Sequence, residues 1–301
     1  MRQHAHSHAG PATSRTFAIG IGLNVLFVLV EVVYGLRAHS LALLSDAGHN
    51  LGDVLGLGLS WGALVLGQRP PSARHTYGMR RASILASLSN ALLLLVAVGG
   101  ISWEALQRLL HPHAVEGRTV MVVAAIGIVV NGLAALLFMS GRDRDINIRS
   151  AFQHMLSDAV VSVGVVLAGI AIQLSGRSWL DPAVSLGVGA VIVFGTWSLL
   201  KESMRLAMDA VPEGTDLPAI QRYLEQLPGV ITVHDLHVWA MSTTETALTV
   251  HLVVPEKVIH DDAMAQICGE LHSRFGIEHT TIQVERGDGA AECGQAPADV
   301  V

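Results

Sequence analysis

A bundle of six membrane-crossing helices followed by a small soluble α+β domain is the fold class this sequence predicts. Three observations predict it. Of the 301 residues 51% are hydrophobic and only 15% charged, a balance that belongs to membrane proteins rather than to soluble enzymes of this length. The apolar residues are concentrated in long charge-poor runs before residue 208, whereas the remainder mixes acids, histidines and short β-branched runs. The two regimes meet at "AVPEGTDLP", a Pro/Gly/Asp stretch of the kind that separates domains.

Each element follows from local pattern. Residues 1–15 are a polar, His-rich tail, and the hydrophobicity that follows runs past the length of a cleavable signal. A helix crossing the hydrocarbon needs roughly 20 mostly apolar residues. Six runs qualify within a membrane domain of 16–208: 16–37, 41–67, 82–109, 118–140, 149–174 and 182–207. Asp181-Pro182 reads as an N-cap acid and a proline at the first position of the sixth helix. Residues 209–286 then read as helix (215–228), strand (230–241), strand (247–254), helix (259–276) and strand (279–285), with both long strands alternating apolar and polar residues. This αββαβ order suits a two-layer domain. The Gly/Ala-rich tail of 287–301 is expected to be disordered.

Loop arginines set the orientation. Arg69, Arg74, Arg80, Arg81, Arg142, Arg144 and Arg149 lie in the loops on one side, against Arg37, Arg108, Arg118 and Arg177 on the other. Lys201 and Arg205 agree with the majority, so both termini and the soluble domain are expected in the cytoplasm of a cell whose inner membrane holds the bundle. The net charge of −6 gives no basic patch for a nucleic acid. Two cysteines, Cys268 and Cys293, build neither a disulfide framework nor a CxxC metal site.

Two of the apolar runs contain ionisable residues. The second carries Asp46, His49 and Asp53, and the fifth, in "FQHMLSDAVV", carries His154 and Asp158. A spacing of four stacks each His above its Asp on one helix face. Two HxxxD pairs supply two imidazoles and two carboxylates, a tetrahedral N2O2 set that Zn2+ accepts, whereas Ca2+ and Mg2+ prefer oxygen alone. The plainer reading makes each a polar group bonded to a neighbouring helix. Against it stands the cost of placing an Asp at the bilayer centre, roughly 2.5–3.5 kcal/mol on insertion scales, incurred on two helices with matched spacing. Asp46 lies seven residues before Asp53 and has several readings open: orienting His49, lining a water path, or capping the helix. Asn24, Glu31 and Asn131 read as interhelical hydrogen-bonding groups.

The segments "SLALLSDAGHNLGDVLGLGLSWGALVL", "HTYGMRRASILASLSNALLLL", "HMLSDAVVSVGVVLAG" and "WLDPAVSLGVGAVIV" closely resemble the cation diffusion facilitators, and among them the zinc-transporting, ZitB-like branch. The resemblance spans about residues 16–285. It implies a transport site of His49, Asp53, His154 and Asp158 for zinc, with cadmium as a second substrate, and a homodimer joined through a metallochaperone-like cytoplasmic domain. It further implies metal ligands at His234, His251, His260 and Glu285 in that domain, and a loop site at His75. Some bacterial relatives have a His near the final strand where this chain has Gln283, which counts against a full binuclear site. His237 and His279 read as exposed strand residues near these ligands. Of the fifteen histidines, His4, His6 and His8 sit in the tail, where they either collect metal or do little.

Zinc needs neutral imidazoles and ionised carboxylates, so protons compete for the same side chains. Moving Zn2+ out against an interior potential of about −100 mV costs roughly 4.6 kcal/mol, whereas protons entering run downhill. The expectation is zinc efflux by Zn2+/H+ antiport with alternating access. An intramembrane metalloenzyme is the rival reading, but no HExxH occurs in the sequence. A membrane-anchored metal sensor is the other rival; it would not need two polar-lined helices through the bilayer.

Overall fold

The fold is described from a computed structural model, which covers residues 11–111, 113–139, 146–255 and 259–287. The His-rich N-terminal tail up to residue 10 and the stretch from 288 that holds Cys293 lie outside the described residues. Six long helices come first: α1 (Pro11–Arg37), α2 (Leu41–Gly67), α3 (Ala82–Leu110), α4 (Gly117–Met139), α5 (Ile146–Ser175) and α6 (Leu180–Ala207). Among the described residues, five of them, α2 to α6, contain stretches long and apolar enough to cross a membrane. The order continues with α7 (Leu217–Glu225), β1 (Thr232–Ala240), β2 (Thr246–Val253), α8 (Asp261–Phe275) and β3 (Ile277–Glu285), the αββαβ sequence expected. The chain divides into two compact units, Met1–Gly58 with Asn90–Ser198 and Leu59–Ser89 with Leu199–Val301.

In the first unit polarity runs inside out. Leu26, Leu29, Val96, Trp103, Leu174 and Phe194 are exposed, whereas Glu31, Asp46, Asn50, Asn131, Asp158 and Asp181 are buried. Water would drive the opposite arrangement, and a hydrocarbon solvent drives this one. Helices α4 and α5 approach so closely that a Cβ on Gly169 would meet the Met121 backbone nitrogen at 2.8 Å, and one on Gly117 the Gly169 carbonyl oxygen at 2.9 Å. Small residues at a helix crossing permit such backbone contact in lipid.

Asp181 corrects the reading of the sixth helix. The helix begins at Leu180, so Asp181 lies in its first turn and is not its N-cap. Its carboxylate instead accepts the Ser40 hydroxyl and the backbone N–H groups of Leu41 (2.6 Å) and Ala42 (3.4 Å). The first N–H groups of α2 are buried and need an acceptor from outside their own helix.

In the second unit, α7 starts under an Asp216 side chain that accepts the Ala219 N–H at 3.0 Å. The cap and the proline after it start this helix at Leu217, and it ends at Glu225, inside the 215–228 expected. Strand β1 pairs antiparallel with β2, and β2 parallel with β3, so β2 is central and α8 provides the crossover. Ile220 and Leu224 of α7 and Ile267 and Leu271 of α8 pack with Val238, Leu248, Val250, Leu252 and Ile277 of the sheet. Gly276, at φ 69°, ends α8 in the left-handed conformation that a C-terminal cap needs, and β3 begins directly after it. The α2–α3 loop belongs to this unit, with Arg80 paired to Glu245 and Arg81 to Asp209.

Candidate metal sites

Helix α2 puts His49 and Asp53 one turn apart, and α5 brings Asp158 against them. His49 Nε2 lies 3.5 Å from Asp158 Oδ1 and 3.9 Å from Asp53 Oδ2. Zn–N and Zn–O bonds of about 2.0–2.1 Å place the corners of a tetrahedron about 3.3 Å apart. The His49–Asp158 spacing is already near that edge, and the His49–Asp53 spacing is somewhat longer. Asp158 is 1% exposed, whereas the His49 and Asp53 side chains keep 23% and 28%, so a deep acid faces a more accessible His/Asp pair. His154 stands on α5 one turn before Asp158, and its side chain lies outside the described residues.

The acids around this set are arranged in a way the spacing did not indicate. Asp46 is fully buried and accepts the Ser162 hydroxyl of α5 at 3.2 Å. Glu31 of α1, also fully buried, accepts the Asn50 amide of α2 at 3.1 Å. Glu31 thus makes an interhelical hydrogen bond, the role its sequence position implies, whereas Asn50, its donor, is a single amide in an apolar run and carries no periodic signal.

A second cluster forms on the sheet of the soluble unit. His234 of β1 and His251 of β2 are direct cross-strand partners, with ring centroids 5.0 Å apart. Glu285 closes the group from β3: its Oε2 lies 3.2 Å from His234 Nε2 and its Oε1 3.0 Å from His251 Nδ1. These three offer ligand atoms within 4.8 Å of one another. Gln283 donates to Glu285 Oε1 at 2.9 Å, so here it steadies the acid that bridges the two rings.

Asp235 joins the cluster although alternation along β1 would turn it to the other face. The pairing of β1 with β2 shifts between His234 and His237, and Asp235 itself has φ 50°. This bulge swings its carboxylate to 3.4 Å from His251 Nε2 and 2.8 Å from His237 Nε2. A signal was present in the sequence: "HDLH" carries one polar residue too many for strict alternation. His260 is exposed at the N-terminal end of α8, outside this cluster. His75 is exposed in the α2–α3 loop, held through its backbone by Ser72. His279 packs edge-on against Tyr77.

An apolar bundle with carboxylates and an imidazole converging inside it, joined to a soluble domain bearing His/carboxylate clusters, defines a membrane carrier of metal ions. The chain belongs to the cation efflux family: residues 17–206 match the cation efflux transmembrane domain and residues 212–287 the cation efflux protein cytoplasmic domain. It is similar to the metal cation efflux system protein CzcD of Cupriavidus metallidurans, 35% identical over 98% of this chain and 92% of the relative. It is also similar to the zinc transporter ZitB of Escherichia coli, 36% identical over 94% of this chain and 92% of the relative. The cadmium, cobalt and zinc/H(+)-K(+) antiporter of Bacillus subtilis is 34% identical over 93% of this chain and 91% of the relative. The protein is thus a multi-pass metal-cation efflux transporter rather than an enzyme, its substrate a metal ion, and its second domain is of the family's dimer-forming type.

Proposed function

We propose that the protein exports Zn2+, with Cd2+ as a second substrate, from the cytoplasm across the inner membrane by Zn2+/H+ antiport with alternating access. The observation that carries this reading is His49 standing within 3.9 Å of acids on two different helices, Asp53 and Asp158. His49, Asp53 and Asp158, with His154 as the fourth ligand, hold the ion. A set divided between helices can be assembled and taken apart by a small relative movement of α2 and α5, which a site on one helix cannot.

The coupling follows from ligand chemistry. The imidazoles bind metal only when neutral and the carboxylates only when ionised, so each metal ion that enters displaces protons and each that leaves makes room for them. The names of the E. coli and B. subtilis relatives, a zinc transporter and a zinc/H(+)-K(+) antiporter, support the metal and the counter-ion. Both termini lie in the cytoplasm in this reading, and the His234, His251 and Glu285 cluster, with Asp235 behind it, takes zinc as a regulatory ligand there.

The test is metal-dependent proton flux in proteoliposomes, with Zn, Cd, Mn, Fe, Co and Ni compared side by side. Zinc uptake into vesicles should accelerate when the lumen is made more acidic than the bath. A zinc flux indifferent to an imposed pH gradient would overturn the antiport.

A further inference from the structure

Beside the metal ligands, Glu31 and Asp46 present two carboxyl groups in hydrogen-bonding reach of each other, one on α1 and one on α2. Both residues are completely buried. One oxygen of each is satisfied, Glu31 Oε2 by Asn50 and Asp46 Oδ2 by Ser162. The remaining two, Glu31 Oε1 and Asp46 Oδ1, meet no N–H or O–H donor among the described residues. Neither acid has an ion pair with a basic side chain there.

Two ionised carboxylates cannot sit side by side in a low-dielectric interior without a cation between them, and such pairs hold a shared proton. A proton supplies the donor that both orphaned oxygens lack. The charged and titratable groups that bear on the pair are Asp158 from α5 and His49 from α2. Helix α4, which also packs on α1, has Arg118 as its one ionisable residue, and that side chain is exposed. Asp46 precedes His49 by three residues, so its backbone lies about 4.5 Å along the α2 axis from that of His49.

We propose that Glu31 and Asp46 form a proton-holding pair, a seat for the counter-ion separate from the metal's own ligands. In the metal-free state one carboxylic acid donates to the other carboxylate. When a dication settles among His49, Asp53 and Asp158, its field favours the doubly ionised pair, and the proton leaves to water, the pair passing from charge −1 to −2. When the metal departs, the pair takes a proton back. This rests on the antiport reading above and adds a proton that the ligands themselves do not carry.

The experiment uses the purified full-length protein and ZnSO4. Protons released per zinc bound are counted by titration in weakly buffered solution, and infrared difference spectra follow the C=O stretch of protonated carboxyls. Wild type should lose carboxylic-acid absorbance on zinc addition. Glu31→Gln should bind zinc, release one proton fewer per ion and lack that infrared change, and Asp46→Asn should behave alike. Wild-type proton counts in both variants would overturn the proposal and leave antiport standing. If neither variant folds, the wild-type spectrum still decides, since no loss of carboxylic-acid absorbance on zinc binding would overturn it. A wild-type flux blind to the pH gradient is a different result, read before any variant is made, and it would overturn the antiport with the pair's part in it.

Discussion

Asp181 and Leu41, 140 residues apart, are joined by a hydrogen bond of 2.6 Å from the Leu41 backbone to the Asp181 carboxylate, so the first turn of α6 caps the helix that carries His49 and Asp53. Ser40 reinforces the cap by donating its hydroxyl to Asp181 and accepting the Leu43 N–H at 3.2 Å. One side chain thereby sets where α2 begins, and with it the height of His49 two turns further on.

Removing that acceptor strands the buried N–H groups. Asp181→Ala should destabilise the protein by about 2 kcal/mol, combining the loss of a cap with the cost of orphaned donors. Thermal unfolding in detergent would measure it. Asp181→Asn, which keeps one acceptor oxygen, should lose less, and equal losses would show that the cap contributes little.

The crossing of α4 and α5 leaves no room for a methyl group at Gly169, where a Cβ would meet backbone at 2.8 Å, while Gly164 on the same helix has nothing within 4 Å. Gly169→Ala should therefore lower the unfolding temperature by several degrees. Gly164→Ala should leave it level or raise it slightly, since the added methyl also favours helix. The pair separates close packing from helix propensity, and similar effects would argue that the crossing tolerates a shift.

Asp158→Asn and His49→Ala each take one corner from the intramembrane set. Zinc tolerance of a zinc-sensitive cell expressing either variant should fall to that of cells lacking the transporter, with membrane levels of the protein unchanged. Tolerance at the wild-type level would contradict the transport-site assignment.

In the soluble cluster, Asp235 touches both His251 and His237 and orients the former. Asp235→Ala in a His49→Ala background should weaken zinc binding at this cluster by roughly 10–100-fold, the range for loss of a carboxylate behind a ligating histidine. Competition with a chromophoric chelator would read it.

What the sequence by itself determined is everything governed by a local period. Helix spans follow from runs of apolar residues, the strands of the soluble domain from alternation, and the His49/Asp53 and His154/Asp158 pairs from a spacing of four on a helix of known pitch. His234 and Glu285 came only through likeness to a family, yet the sheet register brings them together beside His251, because β1 and β3 flank β2 and carry the two residues on the same face. Tertiary structure alone decided the rest. Asp181 looked like the cap of its own helix and serves another. Glu31, Asp46, Asn50 and Ser162 stand on three helices, and no periodicity relates them. Asp235 reaches the cluster through a bulge that resets the phase of a strand. In each case the partner is distant in sequence, and what selects it is the absence of water: a buried donor or acid must find whatever group the packing of other elements brings within reach.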